Sequence, residues 1–163
     1  MKIGIISDTH DHHRNVKRAV EIFNDAGVAY VLHGGDIVSP FTAKAFADVE
    51  NAKFIATYGN NDGEKLYLNS MIQSFGGEIH PYCFRGEVAG LKVYMTHVHH
   101  TIDEVARGGD FDLIIYGHTH KQDIRTVGNT LIINPGEATD WLTGQGHVVI
   151  LNPADLCYEI VKL

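Results

Sequence analysis

Cysteine, proline and tryptophan are scarce in this chain of 163 residues, with two, four and one respectively. Cys83 and Cys157 lie far apart in segments that read as strands, so neither a disulfide framework nor a cysteine-rich zinc cluster is on offer. They read as structural thiols of a reducing compartment, and the expected location is the cytoplasm. No proline-rich linker, internal repeat or low-complexity tract divides the chain, so residues 1–163 are expected to form one domain. No apolar run approaches the roughly 20 residues that cross a bilayer. The apolar start, Ile3 to Ile6, is too short for a signal peptide and runs straight into Asp8. An excess of positive charge is also missing. Thirteen Lys plus Arg against twenty Asp plus Glu give a formal net charge of −7, which argues against general binding to nucleic-acid backbone. A small anionic substrate stays compatible, because bound cations dominate a local site whatever the net charge.

What is present is a hydrophobic fraction of 44%, enough for a sizeable core, and eleven histidines, nearly as many as all the fixed cations. The first half alternates strand and helix. "KIGIIS" reads as a buried parallel strand, and Val16, Ala19, Val20 and Phe23 recur at helical spacing with Gly27 as the stop. "VAYVLHGGD" gives a second strand, and Ser39-Pro40 opens a helix through Phe46. "AKFIATYGNND" gives a third strand, followed by an amphipathic segment from Leu66 to Phe75. After Gly76-Gly77, "YCFRGEVAGLKVYMTH" reads as two antiparallel strands around Ala89-Gly90, and a short helix near Ile102 to Ala106 precedes "FDLIIYGHTH". Hairpins about Gly128-Asn129 and about Asn152 to Asp155 complete the chain. This order predicts an α/β chain with a mixed sheet, or two sheets packed face to face with helices outside.

The unusual residues stand just beyond the apolar runs. Asp8 and His10 follow "IGIIS", Asp36 follows "YVLHGG", and Asn60, Asn61 and Asp62 follow "FIATYG". His97, His99 and His100 follow "KVYMT", and His118 and His120 follow "LIIYG". In open α/β sheets, ligands bind in the crevice beyond the strand carboxyl ends. Residues two apart in extended chain point to the same side, so the pairs Asp8/His10 and His118/His120 are each expected to aim into one crevice. Gly34, Gly35, Gly59 and Gly117 precede these residues, where backbone must turn tightly or let an ion approach. Oxygen from Asp and Asn with nitrogen from His suits first-row divalent metals rather than calcium. Seven donors exceed one ion's needs, and two ions sharing a carboxylate fit better. Singly, Asp8 reads equally well as a helix cap, "GNND" as an Asx turn and each histidine as a core or loop residue. The convergence of five strand ends favours the metal reading. His33, His80 and His147 are expected to be structural, and His12 and His13 to lie in a solvated loop.

"SDTH" at Ser7–His10, "GGD" at Gly34–Asp36, "GNND" at Gly59–Asp62, "TH" at Thr96–His97 and "GHTH" at Gly117–His120 together resemble the motifs of calcineurin-like metallophosphoesterases, in that family's order. "INPGE" at Ile133–Glu137 is similar to the small bacterial and archaeal phosphodiesterase branch. The resemblance spans the whole chain. It implies a four-layer αββα sandwich, two mixed β-sheets flanked by helices, with a dinuclear centre. Asp8, His10, Asp36 and His120 would hold one ion, and Asp36, Asn60, His97 and His118 the other, with Asp36 shared. The ions would come from Mn, Ni, Co, Fe and Zn, with Mn favoured.

Asp62 matches the family's carboxylate that orients a neighbouring ligand or histidine, and Asn60 is placed to touch a phosphate oxygen. The implied activity is hydrolysis of a small phosphoester, foremost a phosphodiester, by a metal-bridging hydroxide. A phosphomonoesterase on the same site, or a non-catalytic scaffold of the retromer-subunit type, are the alternatives. Two departures stand out. Many members carry, at the position of Asn61, a histidine that assists the leaving group, and asparagine cannot be a general acid. Val98 also separates His97 from His99 where glycine is frequent. No membrane partner is expected, and a dimer or tetramer is compatible with the strand edges and the hairpin face from Tyr82 to Val93.

Overall fold

A computed structural model describes all 163 residues. The strands are β1 (Lys2–Ile6), β2 (Val28–His33), β3 (Lys53–Thr57), β4 (Glu78–His80), β5 (Cys83–Val88), β6 (Leu91–Thr96), β7 (Leu113–Ile115), β8 (Gln122–Val127), β9 (Thr130–Pro135), β10 (His147–Leu151) and β11 (Tyr158–Lys162). The helices are α1 (His13–Ala26), α2 (Pro40–Lys44), α3 (Lys65–Ser74) and α4 (Ile102–Gly108). One sheet has the order β11-β10-β1-β2-β3-β4 and the other β5-β6-β7-β9-β8. Each mixes directions: β1 to β4 run parallel while β10 and β11 run against their neighbours, and β6, β7 and β9 run parallel between antiparallel edges.

The period of two in each strand assigns its side chains to different layers. Ile3, Ile5, Leu32, Ile55, Val149 and Leu151 of the first sheet meet Val93, Met95, Leu113, Ile115, Leu131 and Ile133 of the second, forming the core between the sheets. The alternate residues Ile6, Val31, Phe54, Ala56, Val148 and Ile150 face the other way, against Val16, Ala19, Val20 and Phe23 of α1 and Leu68 and Ile72 of α3. On the far side, Ile114 and Ile132 pack under Ile102 and Ala106 of α4. Helix, sheet, sheet and helix therefore stack as four layers, as the resemblance implies. Strands buried on both faces explain why β1, β7 and β9 read as unbroken apolar runs.

Three local readings are corrected. The helix expected through Phe46 stops at Lys44 and tightens into a 3-10 turn over Ala45–Asp48. His12 and His13 are not a solvated loop: His12 caps α1, its ring accepting from the Asn15 N–H, and His13 is its first residue. That leaves Asp8 free of any capping role. β4 was not apparent in the sequence, because three residues give no periodicity to read. Cys83 opens β5 half-buried, whereas Cys157 is exposed just before β11, and both are free thiols, so only Cys83 fits a packed role.

Candidate metal centre

β1, β2, β3, β6 and β7 all end at the same rim, and the seven residues singled out in the sequence meet there. Asp8, Asp36 and His97 are buried, at 0, 1 and 3% exposure. His10 and His120 are largely covered, while Asn60 is exposed at the mouth. Asp8, His10 and His120 form one cluster of potential metal ligands, and Asp8, Asp36 and His97 a second that overlaps it.

Neighbouring loops hold these residues by their backbones. The Asp8 N–H donates to the Gly35 carbonyl and the His10 N–H to the Asp36 carbonyl, both at 3.0 Å. The His118 N–H donates to the Asp8 carboxylate at 3.1 Å. Asp62 accepts from the N–H groups of Asp36, Val38 and Gly59 at 3.1, 2.7 and 2.6 Å, so its carboxylate clasps the β2 and β3 loops together. Its partners are thus backbone amides rather than a histidine.

The pairs two residues apart do converge, but not through extended backbone. Asp8, His10, Asp36, His118 and His120 all have left-handed backbone, with φ of 53, 39, 59, 69 and 60°. Side chains rarely adopt this region without over-determined surroundings, and such residues cluster at functional sites. The glycines have a separate reason, which is close approach. A Cβ on Gly59 would lie 2.5 Å from the Asp36 nitrogen, and one on Gly117 would lie 2.6 Å from an Asp8 carboxylate oxygen.

The imidazole orientations define what the site can hold. His97 Nδ1 lies 2.8 Å from the Gly34 carbonyl, and His120 Nδ1 lies 2.8 Å from the Glu137 carboxylate. Each ring donates its Nδ1–H outward and turns Nε2 inward. There, His97 Nε2 faces Asp36 Oδ2 at 3.3 Å, and His120 Nε2 faces Asp8 Oδ1 at 3.5 Å. His10 Nε2 is buried without a hydrogen-bond partner, 3.5 Å from Asp36 Oδ2 and 3.8 Å from Asp8 Oδ1. A nitrogen lone pair facing a carboxylate oxygen needs a positive centre between them. At His10 and His97 a proton can fill that place. The Asp8 contact raises the His10 pKa despite burial, and for His97 the Asp36 carboxylate outweighs the opposing effect of burial. Burial pushes Asp36 up, yet its contacts with His97 and Asn61 hold it well below the usual carboxylate range. Donors bound to one ion at about 2.1 Å in tetrahedral or octahedral geometry sit roughly 3.0–3.4 Å apart. The His97–Asp36 pair at 3.3 Å falls in that range, and the His10 and His120 contacts at 3.5–3.8 Å stand slightly wider.

His118 and His120 face different halves. His118 Nδ1 and His97 Nε2 meet Asn60 Oδ1 at 2.8 and 3.0 Å, whereas His120 stacks on His10 with ring centroids 5.0 Å apart. Burial, with His97 and His99 nearby, lowers the His118 pKa, which favours the neutral ring a metal requires. His99 stacks on His118 at 5.8 Å and supports it from the solvent side. Asn61 donates from both its backbone and its side-chain nitrogen to the Asp36 carboxylate, at 2.7 and 2.8 Å.

Glu137, the last residue of "INPGE", has a structural role that the motif alone does not reveal. It is 1% exposed, and besides His120 it accepts from Thr139 Oγ1 at 2.7 Å, from the Leu142 N–H at 3.1 Å, and from the N–H and Oγ1 of Thr143 at 2.7 and 2.8 Å. These partners override the burial that would raise its pKa and bring it down to about 2. The sequence signal is an acid just beyond a strand end, as for the candidate ligands Asp8 and Asp36. His33 is structural, as expected. The Gly35 N–H donates to its Nδ1 at 3.1 Å, its Nε2 meets Thr9 Oγ1 at 3.2 Å, and burial lowers its pKa to about 3.

Comparison with known proteins gives the family and the fold. The profile of the calcineurin-like phosphoesterase superfamily domain matches residues 1–155. A phosphodiesterase from Methanocaldococcus jannaschii is 45% identical over 100% of this chain and 99% of its own. A solved structure of an archaeal phosphodiesterase superimposes with a TM-score of 0.95 at 42% identity, covering all of both chains. Zinc-bound Vps29 from Entamoeba histolytica shares the fold, with a TM-score of 0.71 at 19% identity over 100% of this chain and 98% of that one. The chain belongs to the calcineurin-like phosphoesterase superfamily.

Proposed function

We propose that this protein is a phosphodiesterase that uses two divalent metal ions, manganese foremost, to hydrolyse small phosphodiesters. The observation that carries this reading is the inward Nε2 of His10, His97 and His120, each set against a carboxylate oxygen at 3.3–3.8 Å. Asp8, His10 and His120 would hold one ion, and Asn60, His97 and His118 the other. Asp36 would serve both, since its Oδ2 lies 3.5 Å from His10 on one side and 3.3 Å from His97 on the other. When bound, such ions supply positive charge for the phosphoryl oxygens and lower the pKa of an attacking water.

The chain's own groups set the rest. Asp62 fixes the peptide of Asp36, and Glu137 fixes the ring of His120, so the donors are oriented before any ion or substrate arrives. The exposed Asn60 amide nitrogen is free to donate to a phosphoryl oxygen, its Oδ1 being engaged by two histidines. Asn61 has no proton to give a departing alkoxide, and its side chain is committed to Asp36. General acid catalysis is worth about 10²–10⁴-fold, so its lack at this position favours ester arms that leave readily without help. That selects activated diesters over alkyl monoesters. The scaffold alternative draws on neighbours that share only the fold, and the complete donor set speaks for catalysis.

The test is a panel of phosphomonoesters and phosphodiesters assayed on chelator-stripped protein reloaded with Mn, Ni, Co, Fe or Zn. Diester hydrolysis should return on metal addition, and not in Asp36→Ala. Asn61→His should raise the monoester-to-diester ratio. An active stripped enzyme would overturn the metal reading, and an unmoved ratio would overturn the role given to Asn61.

A further inference from the structure

The loop from Gly136 to Gly146 ends in two outward-facing apolar side chains, Trp141 at 62% exposure and Leu142 at 74%. An indole turned to water is unfavourable, and a firmly fastened loop that presents one calls for a reason. This loop is firmly fastened: Glu137, buried beneath it, accepts from the Leu142 and Thr143 N–H groups. The same carboxylate orients His120. One group therefore positions both a candidate metal ligand and the turn that carries Trp141.

Trp141 lies beside the centre. Its ring centroid is 6.4 Å from that of His10, whose Nε2 points at Asp8 and Asp36. His12 meets it edge-on at 5.9 Å, pinning one side while most of the indole stays open. Beyond His12 and Asp140 a groove of about 780 Å³ continues past Arg14 and Lys17. Neither of these cations takes part in an ion pair, so the groove, which also carries Asp140 and the Arg18–Glu21 pair, adds room and two unpaired cations beyond the His12 that touches the indole.

We propose that Trp141 is the specificity-determining side chain of the site, giving a stacking face to a flat aromatic ring carried by one arm of the phosphodiester. This deepens the reading of the centre as a phosphodiesterase and rests on it. Phenolic arms satisfy two features at once, because they leave without the acid that Asn61 lacks and they match the indole.

Two substrates separate aromaticity from leaving ability: phenyl methyl phosphate and hexafluoroisopropyl methyl phosphate, whose leaving alcohols are similarly acidic. In Trp141→Ala the ratio of phenyl to alkyl kcat/KM should fall about 2- to 10-fold, mainly through KM, and Trp141→Phe should restore most of it. A ratio unmoved by Trp141→Ala, with both substrates declining together, would overturn the proposal.

A second measurement needs no turnover. Trp141 is the single tryptophan, so its fluorescence is an unambiguous reporter. Saturable quenching of zinc-loaded protein by 4-nitrobenzylphosphonate, and not by cyclohexylmethylphosphonate, is the expected result. Equal response to both, or quenching that instead follows protein concentration as copies associate, would overturn it. Failure of the phosphodiesterase reading looks different: wild-type protein would hydrolyse neither diester, whatever the fluorescence shows.

Discussion

The two ends of the sandwich solve the same backbone problem with different residues. At the far end, where chains turn back into β2, β4, β6, β7 and β9, left-handed positions fall on Gly27, Gly76, Gly90, Gly109 and Gly128, with open space around each. Asn51, Ala89 and Leu156 are the side-chain-bearing exceptions there. At the rim, left-handed backbone falls on Asp8, His10, Asp36, His118 and His120, with Asp11, Val38 and Glu64 beside them, and each such residue costs on the order of 1–3 kcal/mol. Gly35, Gly136 and Gly144 share the turning at the rim, while Gly59 and Gly117 stand where a side chain would run into Asp36 or Asp8. The far end is thus built for cheap turning and the rim for holding donors in orientations a relaxed chain would not choose.

The largest way to break this contrast is to fill a rim glycine. Gly59→Ala should displace Asp36, destabilise the fold by about 1–3 kcal/mol and weaken metal binding by at least about 100-fold, read by denaturant unfolding and calorimetric metal titration. Retained metal affinity would show that Asp36 has more room than its contacts imply. Next in size is Glu137→Gln, which removes the charge behind His120 while keeping an acceptor for the loop. Metal affinity should drop about 10- to 100-fold, and the unfolding midpoint should fall too, because the amide NH2 meets donors on one side. A large midpoint shift with normal affinity would make Glu137 a loop fastener only.

A third test uses pH. His33 is held neutral with a folded-state value of about 3, below the unfolded value of about 6.5. Its stabilisation is complete above pH 6.5 and is lost as pH falls towards 3, because only the unfolded chain takes up the proton. The slope should be about 1.4 kcal/mol per pH unit, and His33→Gln should flatten it in urea titrations between pH 6.5 and 4.5. His10 and His97, whose values are raised, act in the opposite direction and above that window. An unchanged slope in the variant would assign acid sensitivity elsewhere. The smallest effects come as a matched pair. His118→Gly should stabilise the metal-free protein by up to about 1 kcal/mol while impairing metal uptake, and Gly128→Ala should destabilise it by about 1 kcal/mol with metal uptake intact. Equal signs in thermal unfolding would erase the distinction between the two ends.

Much of this was legible in the sequence. Every rim donor was visible as a polar residue after an apolar run, and long periodic segments such as α1 and the β5–β6 hairpin declared themselves. What stayed hidden is instructive. Two-residue alternation predicts the convergence of Asp8 with His10 and of His118 with His120, but the chain achieves it by left-handed kinks, which tertiary hydrogen bonds impose and no local pattern encodes. β4 is paired only through β3, so three residues could not announce it. Glu137 looked like part of a branch signature because its partners, His120 and Thr143, meet it only once β9 has folded against the rim.

One oxygen atom has a further consequence. Asp36 Oδ2 looks at His10 on one flank and at His97 on the other, so the two halves of the centre share an electrostatic account. If the centre takes two ions, filling either half drains negative charge from the other, and the second cation should therefore load more weakly than it would with the first half empty.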